Sequence, residues 1–182
     1  MRRGFLNVAI AYGFIMALSA ANGQTSNAGV EDIFEARAGD LHVVQMWSDD
    51  EDRFMREWAQ PTPPNLTVST ETVRNKPITQ FILFGGCTSD TAGNCYLTAN
   101  VEMTDPNGER YGEVFNFAVW DNLPAPQPNV FILSPNGVGL VIEDGEQLGI
   151  YRVRLAVTDE HAAVTAVTQV SLVVTESGEA AE

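Results

Sequence analysis

Cations are scarce in this chain. Ten lysines and arginines stand against 24 aspartates and glutamates, a formal net charge of −14. A surface of that sign repels phosphate backbones and anionic headgroups, which excludes nucleic acid and anionic membrane as partners. Three explanations fit the acidity: solubility after export, life at elevated salt, or recognition of a cation or a basic protein. Reactive groups are equally few, with two histidines and two cysteines. There is no Gly-x-Ser-x-Gly elbow, so no nucleophile is presented to a base. There is no Cys-x-x-Cys redox pair and no short-spaced ligand cluster for zinc. The sequence is read as non-enzymatic and without a cofactor.

The one long apolar run lies at the start. Arg2 and Arg3 precede Phe5 to Leu18, and the small residues Ser19, Ala20, Ala21, Asn22 and Gly23 follow. A basic head, a short greasy middle and a small-residue exit describe a signal peptide over residues 1–23, cleaved after Ala21 or Gly23. No cysteine follows the run directly, so lipid attachment is not expected. With no second apolar segment, no membrane insertion is expected after cleavage, and the location is secreted or periplasmic. Cleavage leaves eight cations against 24 acids, a net charge of −16. About 160 residues remain, the size of one domain.

Residues 24–40 are polar and aperiodic and are expected to form a flexible arm. Residues 41–60 then give an N-terminal strand (Leu41 to Trp47) and a short helix (Asp49 to Ala59). Ser48 and Glu51 have capping-box spacing, and Phe54 and Trp58 fall on one helical face. Pro61, Pro63 and Pro64 end the helix. From residue 66 to 175 short strands alternate with turn chemistry. In Cys95 to Thr104 every second residue is apolar, and Tyr151 to Thr158 repeats the pattern with Arg152 and Arg154 outward. Asp105-Pro-Asn-Gly108 is a turn, and Glu113 to Trp120 the returning strand. Ile78 to Phe84, Val130 to Leu133, Val138 to Ile142 and Val164 to Val174 complete the set, and residues 176–182 form an acidic tail. The pattern predicts an all-β, antiparallel sandwich of seven to nine strands with one helix near its start.

The stretch Glu146-Gln-Leu-Gly-Ile-Tyr-Arg-Val153 resembles the tyrosine-corner region of immunoglobulin-like and fibronectin type III-like domains. Together with the hairpin VEMTDPNGERYGEV it is similar to the immunoglobulin-like modules of bacterial surface proteins and macroglobulins. The resemblance spans Leu66 to Val174. It implies an immunoglobulin-like sandwich in which the Tyr151 hydroxyl caps backbone across the corner, and it carries over no functional residue.

In an exported chain, Cys87 and Cys95 are expected to form a disulfide, closing a loop of seven residues. The closed loop is expected to contribute about 2.5 kcal/mol. A loop so stapled is preordered for a partner, though a clamp on a long hairpin explains it better. The acids Asp49 to Asp52 are better explained as a helix cap than as a calcium site, because consecutive helical carboxylates diverge. Glu143, Asp144, Glu146, Asp159 and Glu160 belong on inter-strand turns. Trp120, with Asp121 and Gln127 beside it, is the candidate ligand-stacking site, expected to be exposed where the strand ends. Asn65-Leu-Thr67 matches the N-glycosylation pattern. Three functions are carried forward. The first is a protein-protein interaction or structural module with a partner in the envelope or outside the cell. The second is a glycan or small-ligand binder, and the third a metal-dependent hydrolase.

Overall fold

Strict alternation of apolar and polar side chains builds the larger of two sheets. The computed structural model describes residues 32–60 and 64–176. The signal segment, the arm up to residue 31 and the tail beyond Glu176 lie outside them. Along β5 (Asn94–Thr104) the residues Cys95, Leu97, Ala99, Val101 and Met103 are all at most 4% exposed. Along β9 (Gly149–Asp159) the same holds for Tyr151, Val153, Leu155 and Val157, while Arg152 and Arg154 face outward. A period of two puts one whole side of each strand into the core.

The remaining elements are β1 (Glu35–Ala38), β2 (Leu41–Ser48), α1 (Glu51–Trp58), β3 (Glu71–Val73), β4 (Ile78–Gly85), β6 (Phe115–Pro124), β7 (Ile132–Leu133), β8 (Gly139–Leu140) and β10 (Val164–Thr175). One sheet runs β1-β2-β4, with β7 and β8 both pairing β4. The other runs β3-β10-β9-β5-β6. Every pairing is antiparallel except β3 with β10. Strands of both sheets contribute to one apolar core, so the fold is all-β and two-layered. The ten strands among the described residues exceed the expected seven to nine because β1 and β3, four and three residues long, add to the eight read from the sequence.

Two local expectations are corrected. The flexible arm expected over residues 24–40 is not continuous, because Glu35–Ala38 is β1, hydrogen-bonded to β2 as a hairpin. It alternates exposed Glu35 and Arg37 with half-buried Ala36 and Ala38, which pack against the core, as an edge strand does with much of its surface in solvent. The helix starts later than Asp49. Asp50 is its N-cap, accepting from the backbone N–H of Arg53 at 2.9 Å, while the Ser48 hydroxyl donates to the carbonyl of Asp50. A carboxylate caps at least as well as a hydroxyl, so the start moves to the first acid whose fourth residue can donate to it.

The core also holds a polar contact between the sheets. Gln45 on β2 and Thr168 on β10 are both fully buried, and the Thr168 hydroxyl donates to Gln45 Oε1 at 2.7 Å. Beside it, Trp47 pairs with Gln80 across β2 and β4. The Trp47 indole N–H and the Gln80 side-chain amide are buried without a hydrogen-bond partner.

Candidate functional site

Cys87 and Cys95 are disulfide-bonded, and the loop they close is held at three further points. Asp90 Oδ1 accepts from the backbone N–H groups of Ala92 (2.8 Å) and Asn94 (2.9 Å). These donors, Asn94 first, hold the Asp90 carboxyl below the usual carboxylate range. The backbone N–H of Thr88 donates to Asp159 Oδ2 at 2.7 Å. Asp159 is fully buried, and its Oδ1 also accepts from His161 (3.0 Å) and Ala162 (3.1 Å). Gly86 has φ +71° and lies against the carbonyl of Asp40, where any side chain would collide. One carboxylate therefore ties the stapled loop to the β9–β10 turn.

Trp120 is not the exposed strand-end residue that was expected. β6 continues four residues further, to Pro124, so Trp120 sits inside the strand. It pairs with the buried Leu97, and directly paired residues share a face. The indole is half-buried, 5.3 Å from the Phe84 ring, and its N–H donates to the Pro124 carbonyl at 3.1 Å. Asp121 is exposed and accepts from Asn122 at 3.0 Å. Gln127 is exposed on the proline-rich loop, its carbonyl accepting from Val130 at 3.1 Å. No hydrogen bond among the described residues joins Trp120, Asp121 and Gln127. Tyr151 is buried, and its hydroxyl donates to the carbonyl of Gln147 at 2.7 Å. Tyr111 stands edge-on to it, 5.1 Å between rings, and donates to Glu146 Oε1 at 2.7 Å.

The acids are spread out and locally occupied. Asp49 pairs with Lys76 at 2.6 Å, which holds its carboxyl below the usual range. Glu146 accepts from Tyr111 and from the backbone of Glu143, and Asp144 from Asn75. Asp159 and Glu160 lie at the far end of β9, which runs from Gly149 to Asp159. Among the described residues no group of three or more His, Cys, Asp and Glu side chains is placed to hold a metal ion. His42 sits against the Glu35 carboxylate and edge-on to Phe131, 4.7 Å between rings.

The feature that sequence reasoning missed is a groove beside α1. Phe54 is fully buried, its ring stacked on Phe81 of β4 at 3.8 Å, and this seats the helix on the outer face of the sheet. With Phe54 turned down, Glu51, Met55 and Trp58 follow at i, i+4 and i+7 and form one wall. Leu133, Pro135, Asn136 and Gly139 form the other, over a floor that includes Thr79 and Phe81. The groove encloses about 480 Å³. Its far wall is fixed, because the Ser134 hydroxyl donates to the Val119 carbonyl (3.1 Å) and the Asn136 amide to that of Ala118 (2.8 Å). The helix is fixed too. Glu57 accepts from the backbone N–H of Thr67 (2.6 Å), its hydroxyl (2.9 Å) and Arg53 (2.8 Å). Those donors, the Thr67 N–H first, hold the Glu57 carboxyl below the usual range. At Glu51 the groove runs into an adjoining cleft lined by Asp49, Asp50 and Asp52.

A second surface lies on the outer face of β5, β6 and β9. Thr98, Asn100, Asn116, Ala118 and Thr158 border a shallow depression of about 400 Å³ with Tyr96 at its margin. Asn100 donates to Asn116 at 2.9 Å. Among the described residues no helix is long and apolar enough to cross a membrane. No protein-family model matches the chain, and no curated protein matches it.

Proposed function

We propose that this chain is an exported, non-catalytic, immunoglobulin-like interaction module that binds a protein partner in the periplasm or the extracellular space. The groove beside α1 carries the reading. It is preformed, its walls are pinned from both sides, and it presents Met55 at 43% exposure. A fixed concave surface with exposed apolar side chains binds with little loss of conformational entropy. Export is supported by the Arg2-Arg3 head, the apolar run behind it and the Cys87–Cys95 bond. The immunoglobulin-like assignment is supported by the arrangement β2-β4-β7/β8 opposite β10-β9-β5-β6, by the parallel β3–β10 pair and by the Tyr151–Gln147 bond.

A glycan-binding reading has one observation in its favour, the uncharged amides and hydroxyls gathered with Tyr96 on the outer sheet face. Co-purification tests the main reading. The full chain is expressed in its producing organism, and its partners are captured from envelope and culture medium at low and high salt. A specific protein held at low salt and released at high salt is expected. Absence of any specific protein under both conditions overturns the interaction module.

A further inference from the structure

We infer that the α1 groove takes a short basic segment of a partner protein, one apolar side chain flanked by lysine or arginine; this rests on the interaction-module reading and names its ligand chemistry. Among the described residues the only charged side chain lining the groove is Glu51, and no cation lines it. The helix supplies Met55 and Trp58, and the facing wall supplies Leu133 and Pro135. These apolar groups form a seat, and a methionine adapts to side chains of varied shape. The adjoining cleft adds Asp49, Asp50 and Asp52, and its two cations are already engaged. Lys76 is paired with Asp49 and Arg53 with Glu57. Asp50 caps the helix and Glu51 accepts from the Thr79 hydroxyl at 3.2 Å, but neither they nor Asp52 have an ion-pair partner among the described residues, so one end of the groove carries a net negative charge. An acidic segment is repelled there, and an uncharged one leaves that negative charge without a counter-ion. A groove of about 480 Å³ is within the size range of ligand-binding clefts, about 300–1,000 Å³.

The test uses three fluorescein-labelled peptides of equal length, alternating Lys with Leu, Glu with Leu, and Lys with Ser. Fluorescence anisotropy is read against the wild-type chain, Gly139→Trp, Glu51→Lys and Met55→Ser. Gly139 lines the groove, and a Cβ there meets nothing within 4 Å, so a side chain can be introduced at this position without a clash at its Cβ. Thermal melts confirm that each variant is folded. The Lys/Leu peptide is expected to bind wild type, to weaken with salt, and to bind Gly139→Trp and Glu51→Lys about tenfold more weakly. The Glu/Leu and Lys/Ser peptides are expected to bind at least about tenfold more weakly than Lys/Leu. Equal binding of Lys/Leu to wild type, Gly139→Trp and Met55→Ser overturns the inference, as does a preference for Glu/Leu or no binding at all. Capture with the Gly139→Trp chain separates the two readings. A partner retained by that variant overturns the groove and leaves the module standing, whereas no partner for wild type overturns the module.

Discussion

Replacing Asp159 probes the one carboxylate that joins the disulfide loop to the body of the domain. Asp159 is fully buried and accepts three backbone N–H groups, from Thr88, His161 and Ala162, at 2.7, 3.0 and 3.1 Å. A hydrogen bond to a charged group contributes about 1.5–3 kcal/mol, and a buried donor left unpaired costs about 1–3 kcal/mol. Alanine removes all three acceptors at once. Some donors will reach water when the loop relaxes, so the expected loss is about 4 kcal/mol rather than the full sum. For a domain of this size that lowers the melting temperature by about 8–16 °C. Asparagine separates the contributions. Its oxygen keeps the two bonds to His161 and Ala162, but its NH₂ group faces the Thr88 N–H, donor against donor. Asp159→Asn should therefore lose about half as much, near 2 kcal/mol, concentrated at the loop. Urea denaturation gives both values, and amide exchange at Thr88 reports the loop separately. A loss below about 1 kcal/mol for Asp159→Ala would refute the reasoning, since the three bonds would then contribute nothing net.

Four further outcomes follow from the same structure. Reducing Cys87–Cys95 reopens a closure of sequence separation 8. It should cost about 2.5 kcal/mol, leaving the domain folded at room temperature but melting about 5–10 °C lower, as seen by circular dichroism with and without reductant. Trp120→Ala removes an indole packed on Phe84 and should lose about 2 kcal/mol in denaturant titration, where a solvent-exposed ligand anchor would lose almost nothing. Gln80→Met replaces a buried amide that has no partner with an apolar chain of like shape, so the melting temperature should rise, by about 1–2 kcal/mol of stability. Acid should destabilise the fold in a defined window. Asp49, Glu57 and Asp90 have folded-state pKa values below their ordinary ones. Their stabilisation is therefore present above the ordinary carboxylate range near pH 4 and is lost as pH falls through the folded values. Tyr111 shifts the other way, raised first by burial and then by Glu146. Its contribution is full below about pH 10 and lost above it, and melts across pH of wild type, Glu57→Gln and Tyr111→Phe check both ends.

How much of this was legible in the residues differs from element to element. β5 and β9 were readable because their neighbours on both sides are strands of the same sheet, so one face is wholly buried and the other wholly outward. β1 was not, because its inward side consists of only two alanines, Ala36 and Ala38, too short an alternation to stand out from the residues around it. Gln45 was within reach of the same logic. It sits two residues from Val43 and two from Trp47, so parity alone places its amide in the core, against the polarity of the residue. The place of Trp120 is not legible locally, because the end of β6 is set by pairing with β5 as far as Asn94, at a range no local pattern shows. The register shifts beside Leu97 add residues to β6 that alternation cannot anticipate. The groove was half legible. Phe54 and Trp58 announce the helix face, and Glu51-Met55-Trp58 has the spacing of a second stripe. Its other wall comes from Leu133 to Gly139, some eighty residues away, and only the fold brings the two together. The acids were legible as a charge and not as a place.

The most direct test of the account is site-specific photocrosslinking in the producing organism. A photoreactive residue is placed at Met55, in the groove, and in a second strain at Asn116, on the outer face of β6. The account predicts one discrete adduct from Met55, to a protein with a basic segment at the crosslinked position, and none from Asn116. An adduct from Asn116 alone, or none from either site, would contradict it.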